Sequence, residues 1–284
     1  MKTLLEEVRG KESIYVPIPA RIVKVEPITA LEKLFTLALP NDLRLAHEPG
    51  QFVQLTVFGV GEAPISITSS PSRSIGTFEL AIRKVGDLTN VIHGLGPGHI
   101  VGVRGPFGQG FPLARFRGKD LLLVAGGCGM APLRSLINQV LDERGNYGHV
   151  QILYGVKNPA ELMFKEELRQ WEQRSDIELR LTVDAPDVGW NACVGYVSNL
   201  FPEVKVDPRN TVAAIIGPPV MYKSVIGQCK AKGIADGNIW VSFERRMRCG
   251  VGKCGHCQMN HIYTCQRGPA FSYSEVKGLE EAFA

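Results

Sequence analysis

From residue 13 to about 112 the chain is written in short alternating apolar and polar runs, broken by Gly and Pro. Arg21-Ile22-Val23-Lys24-Val25, Phe52-Val53-Gln54-Leu55-Thr56-Val57 and Phe78-Glu79-Leu80-Ala81-Ile82 are the clearest. Period-2 alternation of this kind marks strands with one face in a core, and several at this spacing predict a small β barrel. Residues 1–12 read as a short helix or a frayed tail. Pro106, Gly108, Gly110 and Pro112 punctuate the chain and place a boundary near 113–118.

The pattern then changes. Asp120-Leu-Leu-Leu-Val-Ala125 is almost wholly apolar, as a strand covered on both faces requires. Leu133, Leu136, Ile137, Val140 and Leu141 follow at helical spacing. Further strands are expected at Val150–Tyr154, Ile177–Val183 and Thr211–Ile216. A helix carrying Leu162, Phe164, Leu168 and Trp171 and another over about 219–232 lie between and after them. Alternating strands and helices predict a doubly wound parallel sheet. The reading is therefore a barrel over 13–115, an α/β domain over 116–241, and a small C-terminal segment over 242–284.

Composition alters this picture little. The 284 residues are 44% hydrophobic and 21% charged, an ordinary globular balance. A net charge of +4, evenly spread, does not suggest nucleic acid, and no apolar run reaches the roughly 20 residues of a membrane span. The first residues turn acidic too early for a secretory signal. Seven cysteines, four of them within residues 249–265, are not a disulfide framework, so the expected compartment is the reducing cytoplasm.

Chemistry is concentrated in three places. The strand ending at Ala125 runs into Gly126-Gly127-Cys128-Gly129-Met130-Ala131-Pro132 and then a helix. Glycines there let the backbone approach a pyrophosphate, and the helix start supplies free N–H groups. Pro132 suits a first helical turn. Gly126, Gly127, Gly129, Ala131 and Pro132 are candidate nicotinamide-dinucleotide contacts. Gly217-Pro218-Pro219-Val220-Met221 forms a second turn at the same sheet edge, where Gly217, Pro218 and Met221 would cover the nicotinamide. Asp184, closing the third strand, is either a polar contact there or a turn residue. Lys157, after the second strand, is a candidate for a 2′-phosphate, and Cys128 is either a nicotinamide neighbour or a small buried residue.

The third place is Cys249-x4-Cys254-x2-Cys257-x7-Cys265, threaded by Gly250, Gly252 and Gly255. This is plant-type spacing for an iron–sulfur cluster. The glycines would let the loop wrap the metal and aim N–H groups at sulfur. Structural zinc, which also takes four cysteines, is the competing occupant, although zinc sites usually present two separated pairs. His256 is read as a loop residue. Cys193 and Cys229 are read as spare thiols.

Pro64-Ile65-Ser66-Ile67, Gly86-Asp87-Leu88-Thr89, Gly105-Pro106-Phe107-Gly108 and the two Gly-rich turns together resemble the ferredoxin–NADP reductase superfamily over nearly the whole chain. The resemblance implies FAD on the barrel. Pro64, Ile65, Ser66 and Ile67 would line its ring, with the Ser66 hydroxyl near the reactive ring nitrogen as the catalytic contact. Ala81, Arg83, Gly86, Leu88 and Thr89 would adjoin the flavin, the Gly-x-x-Thr turn beside its pyrophosphate. Members carry Arg at the place of Ala63 and Tyr at the place of Ile65, so Arg83 or Lys84 becomes the candidate cation. Phe243 through Pro269, with its Met-x-Cys-Gly-x-Gly-x-Cys-Gly-x-Cys wording, is similar to the gamma subunits of cytoplasmic NAD(P)-linked NiFe hydrogenases (sulfhydrogenases). Related chains serve dihydroorotate dehydrogenase and anaerobic sulfite reductase. What this implies is electron transfer between NAD(P)H and a 2Fe–2S cluster through FAD, with hydrogenase-type catalytic and iron–sulfur subunits as partners. The basic run Arg245-Arg246-Met247-Arg248 is either a docking face or a solvated one. The alternatives are an electron-transfer subunit of dihydroorotate dehydrogenase or of anaerobic sulfite reductase, and a stand-alone NAD(P)H:acceptor reductase.

Overall fold

The computed structural model describes Thr3 and residues 13–283. The helix-or-tail reading of residues 1–12 lies outside them except at Thr3, which bridges Arg44.

Six strands build the first half: β1 Ile18–Pro27, β2 Glu32–Ala38, β3 Phe52–Val57, β4 Gly61–Ser66, β5 Thr77–Arg83 and β6 Ile100–Phe107. They pair antiparallel in the order β4-β3-β6-β1-β2-β5. The two edges meet where Ile67 bridges Leu80 and Thr68 N–H donates to the Glu79 carbonyl at 2.9 Å, so the sheet curls into a barrel. Alternate residues fill it: Ile22, Phe35, Leu37, Val53, Leu55, Phe78, Leu80, Val101 and Val103 are all buried. Helix α1, Asp87–His93, packs on β3 and β4.

The second half is a seven-stranded sheet. Its strands are β7 Asp120–Gly126, β8 Val150–Val156, β9 Glu178–Val183, β10 Cys193–Val194, β11 Thr211–Ile216 and β12 Ile239–Ser242. After a small hairpin of β13 Gln258–Met259 and β14 Ile262–Tyr263, β15 Ala270–Ser272 completes it. The order is β10-β9-β8-β7-β11-β12-β15, parallel except for β15. The apolar run in β7 has its physical reason here. Leu121, Leu123 and Ala125 pack in one cluster with Leu133, Leu136 and Val140 of helix α2, Met130–Asp142. Leu122 and Val124 face the other way, toward Val225 and Ile226 of helix α4, Pro219–Ala231.

One expected element begins late. Helix α3 spans Lys165–Glu172, and Leu162 and Phe164 precede it. Phe164 has φ 54°, a left-handed conformation that stops the helix from extending backward. Both side chains are nevertheless buried beside Leu168 and Trp171, which is why their spacing imitated a helix.

The two halves are locked by a polar stripe on α2. Arg134 meets Glu79 of β5 at 2.7 Å and Glu167 of α3 at 2.7 Å. Ser135 Oγ donates to the Ser69 carbonyl at 2.7 Å, and Asp142 takes Arg73 at 2.6 Å. The helix that begins at the Gly-rich turn is thereby fixed to the barrel.

Candidate electron-transfer site

The two Gly-rich turns touch. A Cβ at Gly129 would lie 2.3 Å from the Ile216 carbonyl oxygen, and one at Gly126 would lie 2.5 Å from Met221 Sδ. A Cβ at Gly217 would meet the Met221 methyl at 2.4 Å. Only glycine allows this approach, and Gly127 also holds φ 53°. Gly126, Gly127, Gly129, Ala131, Pro132, Gly217, Pro218 and Met221 thus share one sheet edge. The Tyr154 hydroxyl donates to the Gly127 carbonyl at 3.3 Å and accepts from Met163 N–H at 3.3 Å, steadying the first turn. Burial pushes the Tyr154 phenol up, so it stays a neutral donor. A lone phenol in the aliphatic run Val150–Val156 was the signal for it. Asp184 and Lys157 are exposed beyond β9 and β8, and Asp184 N–H donates to the Val156 carbonyl at 3.0 Å.

Between the halves lies a cleft of about 220 Å³ lined by Leu31, Glu32, Arg83, Cys128, Asn158 and Glu161, among others. Arg83 reaches across it, its Nη1 2.8 Å from Cys128 Sγ and 3.4 Å from the buried Glu32 carboxylate. Burial holds the Cys128 thiol above its ordinary range, against the opposing pull of Arg83. Arg83 therefore joins the barrel to the first Gly turn, whereas Lys84 is exposed next to Gly86.

On the barrel, Ala63, Pro64, Ile65 and Ser66 are half-buried in succession along β4, while Ile67 is fully buried at the seam. The Gly86–Thr89 turn lies close by, since α1 packs on β4. Thr89 Oγ1 accepts from Val85 and Gly86 N–H groups, both at 2.9 Å, so that hydroxyl shapes its own turn. Leu88 is half-buried beneath it. Ala81, half-buried on β5, donates its N–H to the Thr68 hydroxyl at 3.0 Å. A half-open apolar strand edge beside a glycine turn suits a flat ring with a phosphate tail.

The cysteine loop lies on the barrel. Phe52, Met247, Cys257 and Cys265 form one buried cluster with Phe107 and Tyr263 against it. Gly250, Gly252 and Gly255 hold φ values of 76°, 72° and 77°, which bend the loop back on itself. Backbone N–H groups then point at sulfur: Val251 and Lys253 toward Cys249 Sγ at 3.4 and 3.3 Å, Gly252 toward Cys265 Sγ at 3.1 Å. Cys249 lies beside Cys254, and Cys265 feels both Cys257 and Cys249. Among the described residues no three His, Cys, Asp or Glu side chains are grouped for a single metal ion. Four cysteines with N–H donors on two of the sulfurs fit a two-iron cluster. His256 is exposed and its Nδ1 stands 3.2 Å from the Cys254 carbonyl. Arg245 is tied to the Glu281 and Ala282 carbonyls at 2.6 and 3.0 Å, so of the basic run only Arg246 and Arg248 face solvent freely.

These parts define a flavin- and nicotinamide-linked oxidoreductase with an iron–sulfur loop. Three family models match in chain order: an oxidoreductase FAD-binding domain over 19–111, an oxidoreductase NAD-binding domain over 123–226, and the iron–sulfur cluster binding domain of dihydroorotate dehydrogenase B over 244–277. The sulfhydrogenase 1 gamma subunit of Pyrococcus furiosus is 43% identical, covering 90% of each chain. A probable dihydroorotate dehydrogenase B electron transfer subunit of Methanothermobacter thermautotrophicus is 31% identical over 95% of this chain and 94% of its own. The solved structure of NADH-dependent reduced ferredoxin-NADP oxidoreductase, described for flavin-based electron bifurcation, superposes with a TM-score of 0.73 at 25% identity, covering 97% and 94% of the two chains. The protein belongs to this family of FAD-, NAD(P)- and iron–sulfur-binding electron-transfer subunits, ferredoxin-reductase-like in fold. Both relatives are named as subunits of larger enzymes.

Proposed function

We propose that this chain is the NAD(P)H-facing gamma subunit of a cytoplasmic NiFe hydrogenase, delivering electrons to or from catalytic and iron–sulfur partner subunits. The observation that carries the reading is the position of Phe52. It pairs with Ser66 of the flavin strand and packs against Cys257 and Cys265. Identity of 43% over 90% of a sulfhydrogenase gamma subunit supports the choice of partner.

The dinucleotide pyrophosphate would rest on the Gly126–Gly129 turn, whose following helix of 13 residues directs its N-terminus there. Pro218 and Met221 would cover the nicotinamide, and Asp184 would contact the ribose side. Pro64, Ile65 and Ser66 would flank the flavin ring, with Ser66 Oγ hydrogen-bonding its reactive nitrogen. Gly86, Leu88 and Thr89 would shape the phosphate pocket. Cys249, Cys254, Cys257 and Cys265 would hold the cluster. Bound FAD and the cluster supply the conversion between hydride and single electrons. The protein's own part is to keep the rings in register, through the α2 stripe, and to exclude water, through Phe52 and Phe107.

The seven cysteines are all free, and no described helix is long and apolar enough to cross a membrane. Both observations support a cytoplasmic site of action. Anaerobic purification of the native complex, with mass spectrometry of its subunits and a hydrogen-dependent NAD(P) reduction assay, tests the proposal. Hydrogenase subunits and activity are expected. Recovery with dihydroorotate dehydrogenase or sulfite reductase subunits, or only as a free NAD(P)H-oxidising monomer, would overturn it.

A further inference from the structure

Arg104 is the most deeply buried cation beside the cysteine loop, with a side chain only 5% exposed. It sits on β6, in the otherwise apolar run Ile100-Val-Gly-Val-Arg-Gly-Pro-Phe. Its guanidinium is fully engaged. Nε donates to Glu62 Oε1 at 2.8 Å, and Nη2 forms an ion pair with the other carboxylate oxygen. Nη1 donates to the Cys249 carbonyl at 3.2 Å and to the Ile14 carbonyl at 3.4 Å. The Phe107 and Tyr15 rings flank it at 5.4 and 5.9 Å. Lys253 is also close, 5.7 Å from the Tyr15 ring, and Arg248 directly precedes Cys249. Burial works against the Glu62 carboxylate, but hydrogen bonds from Arg104 and Thr56, with the Arg104 charge, outweigh it and keep the group ionised.

Glu62 stands on β4, one position before Ala63 and the Pro64-Ile65-Ser66 stretch. Cys249 is the first cysteine of the loop. Arg104 is thus a single side chain bonded both to the flavin strand and to a cluster cysteine. The pair forms a dipole whose positive end faces Cys249 and whose negative end faces β4. Arg104 is buried while Glu62 keeps 25% of its side chain exposed, so the guanidinium is the less screened of the two charges. Hydrogen bonding and local charge around the ligands are the protein's main levers on an iron–sulfur potential.

We infer that Arg104 is a positioning residue for electron transfer: it anchors the Cys249 end of the loop to the flavin strand and favours the reduced cluster. The inference rests on reading Cys249 as a cluster ligand. The step it acts on moves one electron from reduced flavin to oxidised cluster. No bond forms or breaks in it, and Arg104 keeps its proton throughout. The added negative charge is stabilised by the guanidinium and opposed by Glu62.

The test is an EPR-monitored redox titration of the purified holoprotein and its variants, with iron and flavin content measured first. Arg104→Gln is expected to shift the cluster midpoint to more negative potential, because it removes the cation and leaves the carboxylate. Glu62→Gln is expected to shift it the opposite way. Arg104→Lys, which keeps the charge, is expected to stay near the wild-type value. A purely structural residue would not give opposite shifts from its two ion-pair partners. Unchanged midpoints, or shifts of the same sign, overturn the inference. Should Arg104→Gln yield no folded protein, Glu62→Gln decides: a raised midpoint supports the inference, an unmoved one ends it. Wild-type protein without iron would sink the ligand reading instead, so the two failures are separable.

Discussion

Phe52 stands directly across the β3–β4 ladder from Ser66. Residues opposed in this way project from the same face of the sheet. Phe52 is also 3% exposed and packed in one cluster with Cys257 and Cys265. Phe52 is therefore a neighbour both of the serine of the flavin strand and of two cysteines of the loop. Phe107, tilted against it with centroids 5.9 Å apart, widens that dry contact. The placement implies a short path between two redox groups, and the predictions below probe its parts.

Cys254 is exposed, so its substitution leaves the packing intact. Cys254→Ser is expected to lose most of the cluster iron while keeping flavin and the thermal unfolding profile. Iron assay and the visible spectrum check this. Full iron occupancy would remove Cys254 from the ligand set.

Gly129→Ala would place a methyl 2.3 Å from the Ile216 oxygen and 3.0 Å from Gly217 N, both rigid backbone atoms. The two turns must then move apart. A cost of about 2 kcal/mol is expected from overpacking of this kind. Steady-state kinetics should show a raised KM for NAD(P)H at unchanged flavin content. Wild-type kinetics would mean the turn does not touch the dinucleotide.

Arg134 bridges Glu79 and Glu167, and its replacement leaves two carboxylates facing an apolar side chain. Arg134→Met is expected to cost about 2 kcal/mol, since both acids keep partial access to water. Urea unfolding measures it. Limited proteolysis should then also cut between the halves sooner than in the parent.

His47 is buried and its Nε2 lies 2.8 Å from the Ser69 carbonyl. Desolvation lowers its pKa from 6.5 to about 4, against the backbone hydrogen bond. The folded state therefore keeps His47 neutral where the unfolded chain protonates. Its contribution is fully present above pH 6.5 and is lost as pH falls toward about 4. The linkage amounts to roughly 3 kcal/mol over that window. Urea unfolding at several pH values should show a shallower acid slope for His47→Gln. Parallel slopes would count against a neutral His47.

The parts legible in the sequence were those whose cause is local. β7 and β11 were readable because both faces of each are covered, which demands an unbroken apolar run. The glycines of the two turns and of the cysteine loop were readable because close approach or positive φ leaves no substitute. What escaped is long-range. Arg83, adjacent to the Gly86 turn in sequence, also meets Cys128, 45 positions away. Arg104 reaches Cys249 across 145 positions, and no spacing rule connects them. The α2 stripe was hidden because Arg134, Ser135 and Gln139 look like the solvent face of an amphipathic helix until the barrel is placed against them. Phe164 shows the same limit at short range, where burial without helicity copies a helical period.

The cysteine loop leaves the second sheet at Ser242 and re-enters it at Ala270, and those two residues are paired neighbours in the β12–β15 ladder. Its feet therefore touch, like the ends of a pendant on a ring. A tight hairpin joining β12 to β15 would keep that ladder but uncover Phe52 and release Arg104 from Cys249. The sheet holds both ends of the loop, so the cysteines are carried by a closed excursion rather than by a continuation of the nucleotide fold.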